Sequence, residues 1–219
     1  MGAIARSAAN NITTSGVFTS SAITNSSVTG ITVLANASDG ITLISSQTAS
    51  NSASISFTSG LTSTYKAYKF VFVNCHPATS NANFTFNMST DSGSNYNVTK
   101  TTTFFEAYHF EDDSETGLPY QSTLDLSQST NFQPLSENGV SNENDASLNG
   151  SLILFNPSST TYVKHFISTT NNQKAAGSGL CTTIFVSGYG NTTSAINAVR
   201  FQFSSGNFDD GTIYLYGIK

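Results

Sequence analysis

Residues 65–73 read Tyr-Lys-Ala-Tyr-Lys-Phe-Val-Phe-Val, and this run decides the fold class. From Tyr68 onward Phe70 and Phe72 fall on one side of a two-residue repeat, and Val71 and Val73 fall on the other. A strand apolar on both faces belongs inside a sheet. Working outward, nine more short runs have strand character: ITLISS, ASISFT, NFTFNMS, YNVTKTTTFF, SLNGSLILF, TYVKHFIS, LCTTIFVSGY, AINAVRFQF and GTIYLYGI. In the third of these Phe84 and Phe86 alternate with Thr85 and Asn87, which predicts a strand with one wet face. In the last, Ile213, Leu215 and Gly217 oppose Tyr214 and Tyr216, which suits a second face covered by aromatic packing.

Turn chemistry separates the runs. Asn156-Pro157-Ser158-Ser159 stands at hairpin distance between two of them, and Pro157 pre-sets φ for a β-turn. Asp91–Asn95 and Ser205–Asn207 are further turn sites. No stretch has helical periodicity. Ten strands at this spacing predict an all-β protein, an antiparallel β-sandwich of jelly-roll-like type. The region from Glu106 to Asn149 breaks the rhythm and reads as long loops.

Residues 1–40 differ from the remainder, with isolated aliphatic side chains in a polar matrix. Ile4, Ile12, Val17, Phe18, Ile23, Val28 and Ile31 are too few to build a core and too many for a free linker. The expected organisation is therefore an extended anchoring arm over residues 1–40 and a β-domain over residues 41–219.

Composition narrows the function classes. Only 10% of the 219 residues are charged, the net charge is −5, and 16 Phe and 9 Tyr supply the core in a chain without Trp. Eight scattered basic residues exclude a phosphate-binding surface, so nucleic acid is not an expected partner. No run approaches the ~20 apolar residues of a membrane helix, and the first residues lack the pattern of a signal peptide. Membrane insertion is not expected. Cys75 and Cys181 have no metal-type spacing and read as buried free thiols.

Chemistry has few footholds. His76, His109 and His165 lie far apart with no two-histidine metal spacing, and His165 reads as a half-buried strand residue. There is no nucleophile elbow, phosphate loop or dinucleotide fingerprint. Neither a catalytic residue nor a cofactor is expected. The stretch Tyr108-His109-Phe110-Glu111-Asp112-Asp113-Ser114-Glu115 offers oxygen ligands of the kind Ca²⁺ takes, without the spacing that wraps a cation. Its plainer reading is a solvated acidic loop. Tyr108, His109, Glu111, Asp112, Asp113 and Tyr120 form the candidate ligand-contact loop, since aromatic faces beside carboxylates can hold sugars.

Several phrases carry a resemblance: MGAIARSAANNITTSGV, LISSQTASNSASISFTSGLTSTYKAYKFVF, GSNYNVTKTTTFF, FNPSSTTYVKHFIS, GYGNTTSAINAVRFQFSSGN and GTIYLYGIK. Together they resemble structural proteins of tailed bacteriophages, especially phages of marine bacteria. The resemblance implies a virion component of head or tail, such as a fibre, knob or decoration protein. It also implies a jelly-roll-like body and assembly as a homotrimer. The partners expected on this basis are copies of the same chain and other virion proteins, whether capsid, portal or tail. The alternative reading is a carbohydrate-binding adhesin that touches host surface glycan through its loops. A surface-glycan depolymerase is the remotest reading, because the acids lie in loops and no parallel β-helix repeat is present.

Overall fold

A computed structural model describes residues 40–137, 139–174 and 179–219. The candidate arm residues Ile4, Ile12, Val17, Phe18, Ile23, Val28 and Ile31 lie outside the described residues. Twelve strands are described: β1 (Ile41–Thr48), β2 (Ile55–Phe57), β3 (Ala67–Pro77), β4 (Phe84–Ser89), β5 (Lys100–Phe110), β6 (Thr116–Gly117), β7 (Gln133–Pro134), β8 (Leu148–Phe155), β9 (Lys164–Gln173), β10 (Leu180–Gly190), β11 (Ala198–Phe203) and β12 (Phe208–Ile218). No helix occurs among the described residues, and each of the ten runs found in the sequence contributes a strand.

The strands form an eight-stranded sheet in the order β1-β12-β3-β8-β9-β10-β5-β6 and a four-stranded sheet in the order β2-β11-β4-β7. Every pairing is antiparallel. The four strands β1-β12-β3-β8 and the four strands β2-β11-β4-β7 interleave along the chain, so that successive strands alternate between sheets except at β4 and β7, which pair in one sheet, and β12 returns beside β1. That is the double Greek key of a jelly roll. Two hairpins are inserted into it, β5–β6 between β4 and β7, and β9–β10 between β8 and β11. Both add to the same edge, doubling one sheet from four strands to eight.

The inner faces carry the core. Tyr68, Phe70 and Phe72 of β3 are buried, as are Ile213 and Leu215 of β12, while Val71 and the two tyrosines of β12 face outward and are half-exposed. The run from Tyr68 to Val73 is thus part of an interior strand, between β12 and β8. Because Trp is absent, phenylalanine closes the gap between sheets. Phe201 of β11 lies 5.2 Å from Phe70, 5.1 Å from Phe72 and 5.8 Å from Phe84, centroid to centroid.

Local geometry follows residue chemistry. In the 156–159 turn the Ser159 amide donates to the Asn156 carbonyl at 3.1 Å, and Asn156 takes a positive φ of 45°. Gly211 stands at the irregular pairing of β12 with β3 with φ +119°, and a Cβ there would meet the Cys75 Cα at 2.7 Å. Only glycine fits that approach.

Four expectations need correction. The outer side of β4 is not wet: Thr85 and Asn87 are buried. The Asn87 amide donates to the carbonyls of Tyr96 (2.7 Å) and Thr130 (2.9 Å), so two connecting segments fold over the strand. The region from Glu106 to Asn149 is not loop throughout, because β5 runs on to Phe110 and β6 and β7 form within it. Cys75 is a buried free thiol, but Cys181 is free and exposed, since it falls on the outward-facing positions of β10. His165 is exposed rather than half-buried for the same reason on β9, and its ring lies 5.8 Å from Tyr189.

Candidate assembly face and binding pocket

The outer face of the large sheet is broad and, along its two central rows, nearly free of charge. Strand register sets two rows of outward side chains across seven strands. The first runs Leu43, Tyr216, Lys69, Ile153, Ile167, Ser187, Thr103. The second runs Ser46, Tyr214, Val71, Ser151, Thr169, Phe185, Phe105. Lys69 is the single formal charge in the two rows. Leu43 is 53% exposed, Ile167 52% and Phe105 39%, and the rings of Phe105 and Phe185 stack at 5.0 Å. Seven strands at ~4.8 Å spacing and eight residues at ~3.4 Å give a face of about 30 by 25 Å. That area approaches the ~800 Å² each partner contributes to a standard protein interface.

The opposite side of the same extension holds a pocket. The 117–137 segment runs beside β5, where the Gln121 amide donates to the Phe104 carbonyl at 2.9 Å, and crosses to β9, whose Thr170 hydroxyl donates to the Leu135 carbonyl. A cavity of about 300 Å³ lies there, lined by Glu106, Tyr108, Phe110, Glu115, Pro119, Gln121, Glu137, Lys174 and Leu180. Glu106 and Glu137 are both buried. The Gln121 Nε2 donates to both, at 2.8 Å to Glu106 and 3.0 Å to Glu137. Burial first, then the hydrogen bond and charge of Glu106, push the Glu137 carboxyl up to about 8, with Lys174 and Gln121 partly opposing. At neutral pH the Glu137 carboxyl therefore keeps its proton.

No family model, curated protein or solved structure matches this chain.

The candidate ligand-contact residues do not converge. Tyr108 faces the pocket and its hydroxyl donates to the Glu115 carboxylate at 2.6 Å, an acceptor that raises the phenol pKa. His109, one residue on, points to the other face and lies 3.0 Å from Asp113. The Tyr120 hydroxyl donates to Asp125 at 2.5 Å. Glu111 lies beside Gly179, and the Asp112 carboxylate accepts from the Ser114 amide. Among the described residues no group of three or more His, Cys, Asp or Glu side chains is placed to hold a metal ion.

Sequence reasoning missed Glu106 and Glu137, and it missed two buried lysines. Lys100 and Lys164 occupy inward positions on either side of Gly190, in one row across β5, β10 and β9. The Lys100 ammonium donates to the Asn87 Oδ1 (2.6 Å) and the Val98 carbonyl (2.8 Å). Lys164 donates to the carbonyls of Tyr162 (2.5 Å), Thr193 (3.3 Å) and Thr192 (3.4 Å). Burial lowers both, Lys100 to about 7. A signal existed: Lys100, Thr102, Phe104, Glu106 alternate on one side of β5, placing two charged residues in register with a core phenylalanine.

These groups set an unusual pH profile. A carboxyl raised in the folded state holds stability below its unfolded pKa and loses it as pH rises, here from about 4.5 to about 8. A lysine lowered in the folded state does the reverse, and stability rises from about 7 to about 10.5. Urea denaturation across pH 5–10 is expected to show a minimum of stability near neutral pH, each shifted group adding at most about 1.4 kcal/mol per pH unit to its limb. Glu137→Gln should flatten the acid limb and Lys100→Met the alkaline one; a profile unchanged by both would refute the assignment.

Proposed function

We propose that this chain is a structural protein that assembles with copies of itself through the outer face of its larger sheet, as a component of a virion coat or appendage. The single observation that carries the reading is that face: an apolar, aromatic and hydroxyl-rich surface of interface size with one lysine in its two central rows. Copies closing about a three-fold axis, with one part of this face against a different part of the neighbour's, meet without like-charge repulsion and bury area that would otherwise contact water. Cross-strand Thr and Ser add neutral hydrogen bonds at the rim.

Two further features support it. Jelly rolls recur in capsid and lectin domains, although fold alone assigns no function. The phrases in which the sequence resembles phage structural proteins fit the same setting and a trimer, with residues 1–40 docking onto neighbouring virion proteins. Native mass spectrometry of the full chain is the direct test. A stable trimer is the expected species; a monomer at micromolar concentration would overturn the reading. Location on head or tail follows from electron cryo-microscopy of particles, where no density for the chain would overturn the virion setting.

A further inference from the structure

We propose that the cavity beneath β5 and β10 is a saccharide-binding site that takes one uncharged pyranose unit. This goes beyond assembly and uses the opposite side of the sheet from the assembly face. Four observations carry it. The first is size: about 300 Å³ lies at the lower end of the range for small-molecule sites, which fits a single sugar ring.

The second is the mixture of surfaces. Tyr108 and Phe110 present rings with planes 86° apart and centroids 6.1 Å apart, and Pro119 and Leu180 continue the apolar wall. A pyranose has an apolar C–H face that lies on such rings and a hydroxyl edge that does not. The third is the polar floor. Glu106 offers carboxylate oxygens to neighbouring hydroxyls, the proton kept by Glu137 offers a donor, and Gln121 fixes both acids from one side. Planar carboxylates and amides arranged in advance suit hydroxyl pairs, because little side-chain ordering remains to be done on binding.

The fourth is that the arrangement makes poor sense as packing. Two acids buried against each other, with a bridging amide and a lysine, cost stability that an apolar pair would not. Such groups gather where a ligand is bound. Charge selects the ligand further: Glu106 and Glu115 with Lys174 leave the cavity net negative, so an acidic sugar is disfavoured.

Saturation-transfer NMR on the full chain tests this, using the methyl glycosides of glucose, galactose and mannose, with glucuronate as the acidic control. The expected result is transfer to at least one neutral glycoside and none to glucuronate. Tyr108→Ala and Glu106→Gln should each weaken it by about tenfold or more, whereas Tyr162→Ala, at an exposed loop residue outside the pocket, should not. Transfer from none of the probes, or transfer that persists in both pocket variants, would overturn the site. Native mass spectrometry of the same samples separates the two proposals, since a failed pocket leaves the oligomer intact and a failed assembly leaves the sugar signal.

Discussion

Phe185→Glu is expected to turn the assembled protein into a folded monomer. Phe185 stands toward the β5 side of the outer face, stacked on Phe105 at 5.0 Å and in one row with Val71 and Tyr214. In an assembled face a glutamate there would be buried without a cation in its row, and an unpaired buried charge costs several kcal/mol. A penalty of about 3 kcal/mol per interface weakens association by about a hundredfold. The isolated domain should not notice, because the side chain makes no part of the core between the sheets. Ile184→Glu supplies the contrast. It is the adjacent residue on the same strand, it is 1% exposed, and its charge would enter the core, so it should unfold the domain rather than dissociate it. Analytical ultracentrifugation and thermal denaturation separate the two outcomes. If Phe185→Glu and Ile167→Glu together leave the oligomer unchanged, the outer face is not the interface.

Phe201→Ala should cost about 3–5 kcal/mol of unfolding free energy. That is a large part of the 5–15 kcal/mol that holds an ordinary domain together. Phe201 belongs to the four-stranded sheet, yet its ring meets Phe70 and Phe72 of the eight-stranded sheet edge-on and stacks on Phe84 at 6°. Phe57 and Phe86 complete the ring of neighbours at 6.5 and 6.3 Å. Removing it empties the junction of two sheets whose backbones are fixed by their own hydrogen bonds, so the void cannot collapse. Urea denaturation measures the loss. A value under about 1 kcal/mol would mean that the surrounding phenylalanines repack and that no single ring keys the sheets together.

The fold was legible because it rests on alternation, and alternation is written residue by residue. Phe70, Phe72, Ile213 and Leu215 declared their faces from the sequence alone, and the turn at Asn156 declared its own geometry. What alternation cannot state is which strand neighbours which. The return of β12 beside β1 depends on pairings such as Ile41 with Ile218, and the insertion of both hairpins at one edge on pairings such as Lys100 with Gly190, all far beyond the reach of a local pattern. Thr85 and Asn87 misled for a related reason, since polar side chains on a strand signal water unless connections fold over them, and the segments at Tyr96 and Thr130 that cover Asn87 carry no periodicity to announce it. The pocket was the least legible part. Tyr108 was singled out, but for a loop it does not occupy. Its partners Gln121 and Glu137 lie in irregular segments where no periodicity marks a direction.

The pairing of β1 with β12 also governs when this protein can exist. Ile41 waits for Ile218, and at 5–20 residues per second that second strand leaves the ribosome roughly ten to thirty-five seconds after the first. Until then neither Greek key is closed, and the phenylalanines of β2, β3 and β4 have no complete core to enter. High contact order of this kind slows folding and prolongs exposure of apolar strands. The nascent chain therefore cannot offer a finished outer face to a neighbour before its own sandwich has shut, which orders folding ahead of assembly in time.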